Sequence, residues 1–209
     1  MTIKIENLLL ILFLFIFSMD TVYSQSKFEF GLGLMINHSS INQSNTTVSG
    51  PTPPSYNGLR LPAVTTRIGY KINDTWHLNT GPGISWLGAL EKDHSNRIIA
   101  STLELPLQLE WNATRYIHLA SGPIYNYIMG IKSEDESMDF DLIPQIKSRH
   151  QFGFRHTISF SYELVELSLH YAHYLSDVFN FMLTDVNGNF VGTSVSQFGN
   201  IQLGIVIRR

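Results

Sequence analysis

Apolar and polar residues alternate along eight stretches of this sequence, and the connections between them are long and short in turn. The long connections run roughly from His38 to Asn57, Glu91 to Arg97, Lys132 to Arg149 and Asp177 to Ser194. The short ones are Asn73-Asp74, Asn112 to Arg115 and the few residues around Glu163. Alternation indicates strands with one apolar face. Tight turns at one end and long loops at the other are typical of a transmembrane β-barrel of outer-membrane type. The pattern therefore predicts an all-β fold, an eight-stranded antiparallel up-and-down barrel with short periplasmic turns and long external loops.

The fourth predicted strand has the clearest two-residue period. Its apolar face consists of Leu103, Leu105, Leu107, Leu109 and Trp111. Its other face carries Glu104, Pro106, Gln108 and Glu110. A row of leucines that ends in a tryptophan suits acyl chains and then headgroups. The first, sixth, seventh and eighth predicted strands repeat the alternation, although His156 interrupts the apolar face of the sixth.

The second, third and fifth predicted strands are less regular. In the second, the apolar residues change parity near Pro62, which predicts a β-bulge. Gly81-Pro82-Gly83 in the third and Gly122-Pro123 in the fifth predict places where the strand bends or its pairing breaks.

A soluble eight-stranded barrel of the lipocalin type also alternates, but its apolar face points inward around a ligand. Two observations favour the membrane barrel. The opposite face carries small polar residues and scattered charges, not the Lys and Glu runs that hydrate a soluble exterior. Aromatic residues also flank the predicted short turns, as in the girdle at a membrane interface. These are Tyr70, Trp76, Trp111, Tyr116 and Tyr162.

The first residues predict an export signal that is separate from the fold. Lys4 supplies a basic start, Leu8 to Phe17 is an unbroken apolar run, and Val22-Tyr23-Ser24 suits cleavage. The alternative, a transmembrane anchor helix, needs about 20 apolar residues, and this run is shorter. We therefore expect a signal peptide over residues 1–24 and an outer-membrane barrel domain over residues 25–209. The expected location is the outer membrane of a Gram-negative bacterium.

Composition excludes two kinds of chemistry. The chain has no cysteine, so disulfides and thiolate metal sites are absent and stability must come from backbone pairing and packing. It has 14 Lys and Arg against 17 Asp and Glu, a net charge of −3. This balance gives no sign of a nucleic-acid partner.

The fourth and fifth predicted strands carry short motifs. These are Thr102-Leu103-Glu104-Leu105-Pro106-Leu107 and, after a short turn, Ser121-Gly122-Pro123 followed by aromatic residues. With these motifs the chain resembles the PorT-like family of small outer-membrane β-barrels, whose fourth strand reads Leu-Glu-Ile-Pro-Leu and whose fifth carries Gly-Pro-Tyr. The resemblance covers nearly the whole mature chain in strand order and loop length. The resemblance implies a small barrel and an alternative role as an accessory of type IX protein secretion, the system to which the name-giving member belongs.

The predicted inward face carries charges of both signs. Eight strands enclose a lumen just wide enough to be filled by side chains, so we expect no diffusion pore. An unpaired buried charge costs several kcal/mol, which predicts an interior salt-bridge network. Its expected members are Glu29, Arg67, Lys71, Glu104, Glu110, His118, Arg155, Glu166, His170 and Arg208.

An alternative function is an enzyme that modifies lipid A, an acyltransferase or deacylase. Such chemistry needs a nucleophile, a base and an orienting acid. Ser168 and His170 share a strand face, and His173 is close in sequence to Ser176 and Asp177. Any Ser-rich strand produces such spacings. We therefore assign no catalytic residue and favour a non-enzymatic structural or interaction role.

The long connections carry two further signals. The acidic stretch Glu134 to Asp141 offers oxygens that Ca²⁺ prefers, but its spacing matches no calcium loop and favours an ordinary solvated loop. Asn187-Gly188 is a hairpin signal, which predicts that the last two strands continue beyond the membrane. We expect no cofactor and no metal site. The expected partners are outer-membrane lipids and a secretion or envelope protein.

Overall fold

The computed structural model describes residues 27–45, 56–91, 96–134, 139–184 and 190–208. Its strands are β1 (Phe28–Asn45), β2 (Tyr56–Lys71), β3 (Trp76–Thr80), β4 (Gly83–Glu91), β5 (Arg97–Asn112), β6 (Ile117–Glu134), β7 (Asp139–Asp141), β8 (His150–Tyr162), β9 (Val165–Tyr174), β10 (Phe179–Thr184) and β11 (Phe190–Arg208). A 3₁₀ turn spans Ile143–Gln145. None of these residues forms a helix long and apolar enough to cross a membrane. The predicted signal peptide, residues 1–24, lies outside the described residues.

The strands pair into one antiparallel ring. Its wall runs through β1, β2, the β3/β4 pair, β5, β6, β8, β9 and β11, and β11 pairs with β1 to close it. β3 and β4 share one position because each pairs with both β2 and β5. The prediction of an eight-stranded up-and-down barrel is thereby confirmed. Closure pairs each wall strand on both sides, which removes the exposed edges of an open sheet.

The wall strands turn polar positions inward and apolar positions outward. On β5 the four leucines and Trp111 are 39–48% exposed, whereas Glu104, Gln108 and Glu110 are buried. Exposed apolar side chains continue around the ring on β1, β8, β9 and β11. This arrangement is the reverse of a lipocalin-type barrel. A continuous apolar outer wall is what acyl chains solvate and water does not.

Part of the first predicted external loop is strand. β1 continues to Asn45 and holds one register with β11 from Gly31↔Arg208 to Asn45↔Ser194. β2 already begins at Tyr56. The expectation of a loop from His38 to Asn57 was therefore wrong at both ends of that range. Ladder bonds are made by the backbone, so a strand rich in Ser and Asn pairs as well as an apolar one while its sequence resembles a loop.

Strand pairing also extends into two other long connections. β10 pairs with the first part of β11, as the predicted continuation of the last hairpin requires. Asn187-Gly188 itself lies outside the described residues. Between Lys132 and Arg149 the chain forms two elements, β7 and the 3₁₀ turn. β7 pairs with the end of β6. At the external end, the strands therefore extend beyond the apolar band of the outer wall.

Glycine and proline interrupt the wall near the predicted positions. The third predicted strand divides at Gly81-Pro82 into β3 and β4. Gly81 has a φ of 154°, and a Cβ at this position would collide with the Thr66 carbonyl oxygen, so other residues do not fit. The register between β2 and β4 shifts between Gly58 and Ala63. This is the irregularity expected near Pro62.

At Gly122-Pro123 the expected break affects only the pairing of β6 with β5. β6 runs through this step without ending, but its pairs with β5 stop at Ser121 and resume at Ile124. Proline has no N–H to donate to the ladder. A Cβ on Gly122 would collide with the Leu107 carbonyl oxygen, so β5 and β6 approach closely here.

Aromatic side chains surround the barrel end that carries the short turns. Trp76 and Trp111 are direct cross-strand partners and are both exposed. Tyr116 stacks on Phe160 and Tyr162, with ring centroids 5.9 and 6.4 Å apart. This end therefore has the ring of amphipathic side chains expected at a membrane interface.

Candidate functional site

Arg67 on β2 joins two glutamates from other parts of the wall inside the lumen. Its Nη2 lies 2.7 and 2.8 Å from the two carboxylate oxygens of Glu110 on β5. Its Nη1 lies 3.1 and 3.2 Å from those of Glu166 on β9. Arg208 near the chain end adds a third contact, 3.2 Å from Glu166. One guanidinium thus ties β2, β5 and β9 together across the barrel.

A second ion pair lies further along the lumen. Arg155 on β8 pairs with Glu104 on β5, and the side chains of both residues are at most 5% exposed. Ser85 donates a hydrogen bond of 2.6 Å to Glu104. The amide nitrogen of Gln202 donates to both oxygens of Glu104 at 3.2 Å. Several donors therefore offset the desolvation of this buried carboxylate.

The predicted interior network is present, with two residues at its margin. Glu29 is one-third exposed and lies 3.8 Å from the imidazole Nδ1 of His77. Lys71 is an exception to the inward prediction, because its side chain is 45% exposed and pairs with Asp74 in the first short turn at 2.7 Å. Lys71 is the last residue of β2. At this end of the barrel, a side chain on the inward face of the strand is in solvent and not inside the lumen.

The structure does not bring the sequence-predicted catalytic candidates together. Ser168 donates to Glu166 at 2.7 Å, and His170 Nδ1 contacts Thr157 at 2.7 Å. The two residues share the inward face without a hydrogen bond between them. Each is held by another residue of the lumen network, so His170 is not placed as a base for Ser168.

The second candidate group is also dispersed. His173 packs against aromatic rings, whereas the Ser176 hydroxyl accepts a hydrogen bond from the Phe152 amide. Asp177 forms an ion pair with Lys147 at 2.7 Å, and this contact holds the pKa of Asp177 below its usual value. The acidic stretch considered for Ca²⁺ includes residues 135–138, which lie outside the described residues.

A different serine and histidine do meet, near the short-turn end of the lumen. Ser161 Oγ lies 2.6 Å from His118 Nε2, and His118 Nδ1 lies 2.7 Å from Asn112 Oδ1. This order reproduces the hydrogen bonds of nucleophile, base and orienting amide. Ser161 is only 3% exposed, however, so its hydroxyl is buried inside the lumen. Because the Ser161 hydroxyl is buried, we assign this chain of hydrogen bonds to the polar packing of the lumen.

A small polar cavity lies beside the ion pairs. Its volume is about 40 Å³, and its lining includes Arg67, Asn79, Arg155 and His170. Each of these residues has a buried nitrogen or oxygen without a hydrogen-bond partner among the described residues. A volume of this size holds about three water molecules, which would satisfy such atoms.

The sequence analysis missed an apolar cluster in the other half of the lumen, where it lies among buried polar side chains such as Asn126 and Gln151. Buried side chains from β1, β4, β5, β6, β9 and β11 form one cluster there, including Ile41, Leu87, Ile128 and Phe198. Leu142, Ile143 and Ile146, on and beside the 3₁₀ turn, pack on it. The signal was available, because the inward positions of β4 change from Ser85 to Leu87 and Ala89 toward the external end.

Polar side chains form one patch on the outer wall. His156 Nδ1 lies 3.0 Å from the Ser121 hydroxyl, and the His156 ring stacks on Tyr171 and His173 at 6.5 and 6.4 Å. His156 lies six residues from the end of β8 at Tyr162. At about 3.3 Å per residue and a tilt of about 45°, this distance is about half of an apolar band about 25 Å tall. His156, which interrupts the apolar face of the sixth predicted strand (β8), therefore lies near the middle of the apolar wall.

Comparisons with known proteins identify the fold. No family model and no curated protein matches the chain. Similar solved structures include Neisserial surface protein A, at 9% identity and a TM-score of 0.51, with 85% of this chain and 96% of that chain covered. The outer membrane protein OprG from Pseudomonas aeruginosa is 10% identical with a TM-score of 0.51, over 87% of this chain and 95% of that chain. At this identity the likeness shows the fold alone, that of small eight-stranded outer-membrane β-barrels.

Proposed function

We propose that this chain is a non-enzymatic outer-membrane barrel with a structural or interaction role, and that it is not a diffusion pore. The observation that carries the proposal is the filled lumen. The ion pairs of Arg67 occupy one half, and the apolar cluster with Leu142 and Ile143 packed on it occupies the other. The apolar outer wall supports a location in the outer membrane.

Conductance across a planar lipid bilayer tests the absence of a pore. We expect the purified mature protein to insert without stepwise current, because solutes would have to displace paired charges and packed apolar side chains. A matched variant, Arg67→Ser with Glu110→Ser and Glu166→Ser, removes the ion pairs of Arg67 from the polar half. Stable current steps from the unmodified protein would refute the proposal, and steps from the variant alone would support it.

The proposed absence of enzymatic activity has its own test. Lipid A from cells that produce the protein should have the same mass spectrum with the unmodified chain, with Ser168→Ala and with Ser161→Ala. Both serines are committed to hydrogen bonds inside the lumen. An acyl change that depends on either hydroxyl would instead establish an enzyme that modifies lipid A.

A second candidate function is an accessory role in type IX protein secretion, as a PorT-like barrel. What favours it is the motif pair on β5 and β6, which meets in space. Gly122 packs against the Leu107 backbone, and Pro123 lies where pairing between the two strands is interrupted. Deletion of the gene should then reduce export of proteins that carry the sorting domain of that system, and the restored gene should recover it. Unchanged export would leave the general interaction role.

A further inference from the structure

The external end of the lumen contains a cavity distinct from the polar one. Its volume is about 160 Å³. Its lining is mixed, with Ile41, Ile98, Leu142 and Phe179 on the apolar side and Glu91, Asn96, Ser133 and Ser196 on the polar side. A cavity of about 150 Å³ is large enough to hold a benzene ring.

A buried hydroxyl without a partner also lines this cavity. Ser196 on β11 is 1% exposed, and its Oγ has no hydrogen-bond partner among the described residues. A buried hydroxyl that lacks a hydrogen bond costs about 1–3 kcal/mol. Within an apolar pocket, such a group is satisfied by a ligand that brings one hydrogen-bonding atom.

The cavity rim limits the charge of a ligand. Tyr56 and Glu91 lie at the rim, and Glu91 accepts a hydrogen bond of 3.2 Å from Asn96. A carboxylate at the entrance repels anions, and a cation drawn to it would still lose part of its hydration against Ile41, Ile98 and Phe179. The chemistry that fits is a neutral molecule with an apolar body and one hydroxyl.

We propose that the external end of the barrel is a binding site for a small, neutral, amphipathic molecule. Its ring or short alkyl chain lies against Ile41, Ile98 and Phe179, and its hydroxyl bonds to Ser196. The site adds small-molecule binding to the proposed interaction role. It requires no passage through the lumen, since the cavity is bounded on its inner side by the apolar cluster.

Nuclear magnetic resonance on the ¹⁵N-labelled mature protein in one fixed detergent tests the site, with benzyl alcohol as probe. We expect saturable shifts at the amides of Ser196, Ile98 and Phe179. Benzoate should bind more weakly because of Glu91. Toluene, which lacks the hydroxyl, should bind about fivefold more weakly than benzyl alcohol, the equivalent of one lost hydrogen bond.

Two matched serine variants separate the site from partition into the detergent. Ser196→Ala should weaken the binding of benzyl alcohol about fivefold and leave the affinity for toluene unchanged. Ser159 also carries a buried Oγ without a partner, but it lies outside this cavity. Ser159→Ala should therefore bind benzyl alcohol as the unmodified protein does. Equal affinities for all three proteins would overturn the proposal.

A variant that fills the cavity supplies the remaining control. Ile98→Trp adds bulk at the partly exposed rim, where the fold tolerates it better than at the buried floor. Its slower migration after boiling would show that the barrel has formed. Benzyl alcohol should then produce no saturable shift. Full binding by a folded Ile98→Trp variant, or no saturable shift in the unmodified protein, would refute the site.

Discussion

At the scale of single residues, the buried arginines stabilise the barrel by pairing with glutamates inside the lumen. Arg67 reaches Glu110 and Glu166 from a third strand, and its side chain is only 11% exposed. Removing one partner of such a network leaves uncompensated buried charge, which costs more than the intact pair contributes. Exposed pairs behave differently because water already solvates both groups.

Arg67→Met should lower the free energy of unfolding by about 3–5 kcal/mol, because Glu110 and Glu166 lose their shared cation. Urea unfolding of the protein in lipid vesicles measures this. The triple variant with Glu110→Gln and Glu166→Gln should recover part of the loss. Lys71→Met removes an exposed pair with Asp74 and should leave stability nearly unchanged. Similar losses for Arg67→Met and Lys71→Met would contradict the buried network.

His156→Leu should increase stability, because it removes a polar ring from the middle of the apolar wall. We expect a gain of about 1 kcal/mol in urea unfolding from vesicles, the low end of the cost of a poorly compensated polar group. His150→Leu is the control, since His150 begins β8 at the external rim and contacts the Tyr125 hydroxyl at 2.6 Å. A loss of stability from His156→Leu would show that the patch with Ser121, Tyr171 and His173 contributes more than it costs.

At the scale of elements, each wall strand separates two environments. β5 presents leucines to the outside and hydrogen-bonding groups to the lumen, where Gln108 donates to Thr157 at 3.0 Å. Since the side-chain period is two, a shift of one residue would exchange the faces of the whole strand. The register of β5 is therefore set by both faces at once.

Leu107→Arg should impair folding into lipid vesicles much more than Gln108→Arg. An arginine on the lipid face near mid-membrane costs roughly 2–4 kcal/mol. At position 108 the side chain enters the polar cavity that Glu110 and Glu166 also line. The folded fraction on unboiled gels is the measurement. Equal losses would mean that β5 is buried on both sides, and a larger loss from Gln108→Arg would mean that the faces are reversed.

At the scale of the whole molecule, ring closure joins the chain ends and the two halves of the lumen. β1 and β11 pair over fifteen residue pairs, from Gly31↔Arg208 to Asn45↔Ser194. The short turns and the described ends of the chain lie at the polar end, and the extended strands surround the apolar end. Unfolding must separate a sheet that has no free edge, which makes a closed barrel slow to open in detergent.

The mature protein should fractionate with the outer membrane and migrate faster unboiled than boiled on detergent gels. The reason is that the closed ring stays compact until heat separates β1 from β11. Fractionation of cell envelopes and paired gel lanes measure both properties. Recovery in the soluble periplasm, or identical mobility before and after boiling, would contradict the membrane barrel.

The sequence by itself determined the wall strands and their faces but not the ends of β1 and β2, because a two-residue alternation is a local signal and these polar strand ends lack it. It also located the break at Gly81-Pro82. Proline has no backbone N–H to donate and glycine tolerates a positive φ, and both are properties of single residues. The same local logic offered serine and histidine pairs to which the sequence analysis assigned no catalytic role. Ser168 and His170 are neighbours in sequence, yet each bonds to another residue.

Only the tertiary structure decided which side chains meet inside the ring. Arg67 contacts residues 43 and 99 positions away, and Ser161 meets His118 43 positions away. Such contacts depend on the stagger of eight strands around the closed wall, which no single strand encodes. The same holds for the division of the lumen into a polar and an apolar half. Each strand supplies only a few inward residues, and the cavity beside Ser196 exists because strands far apart in sequence place theirs at the same height.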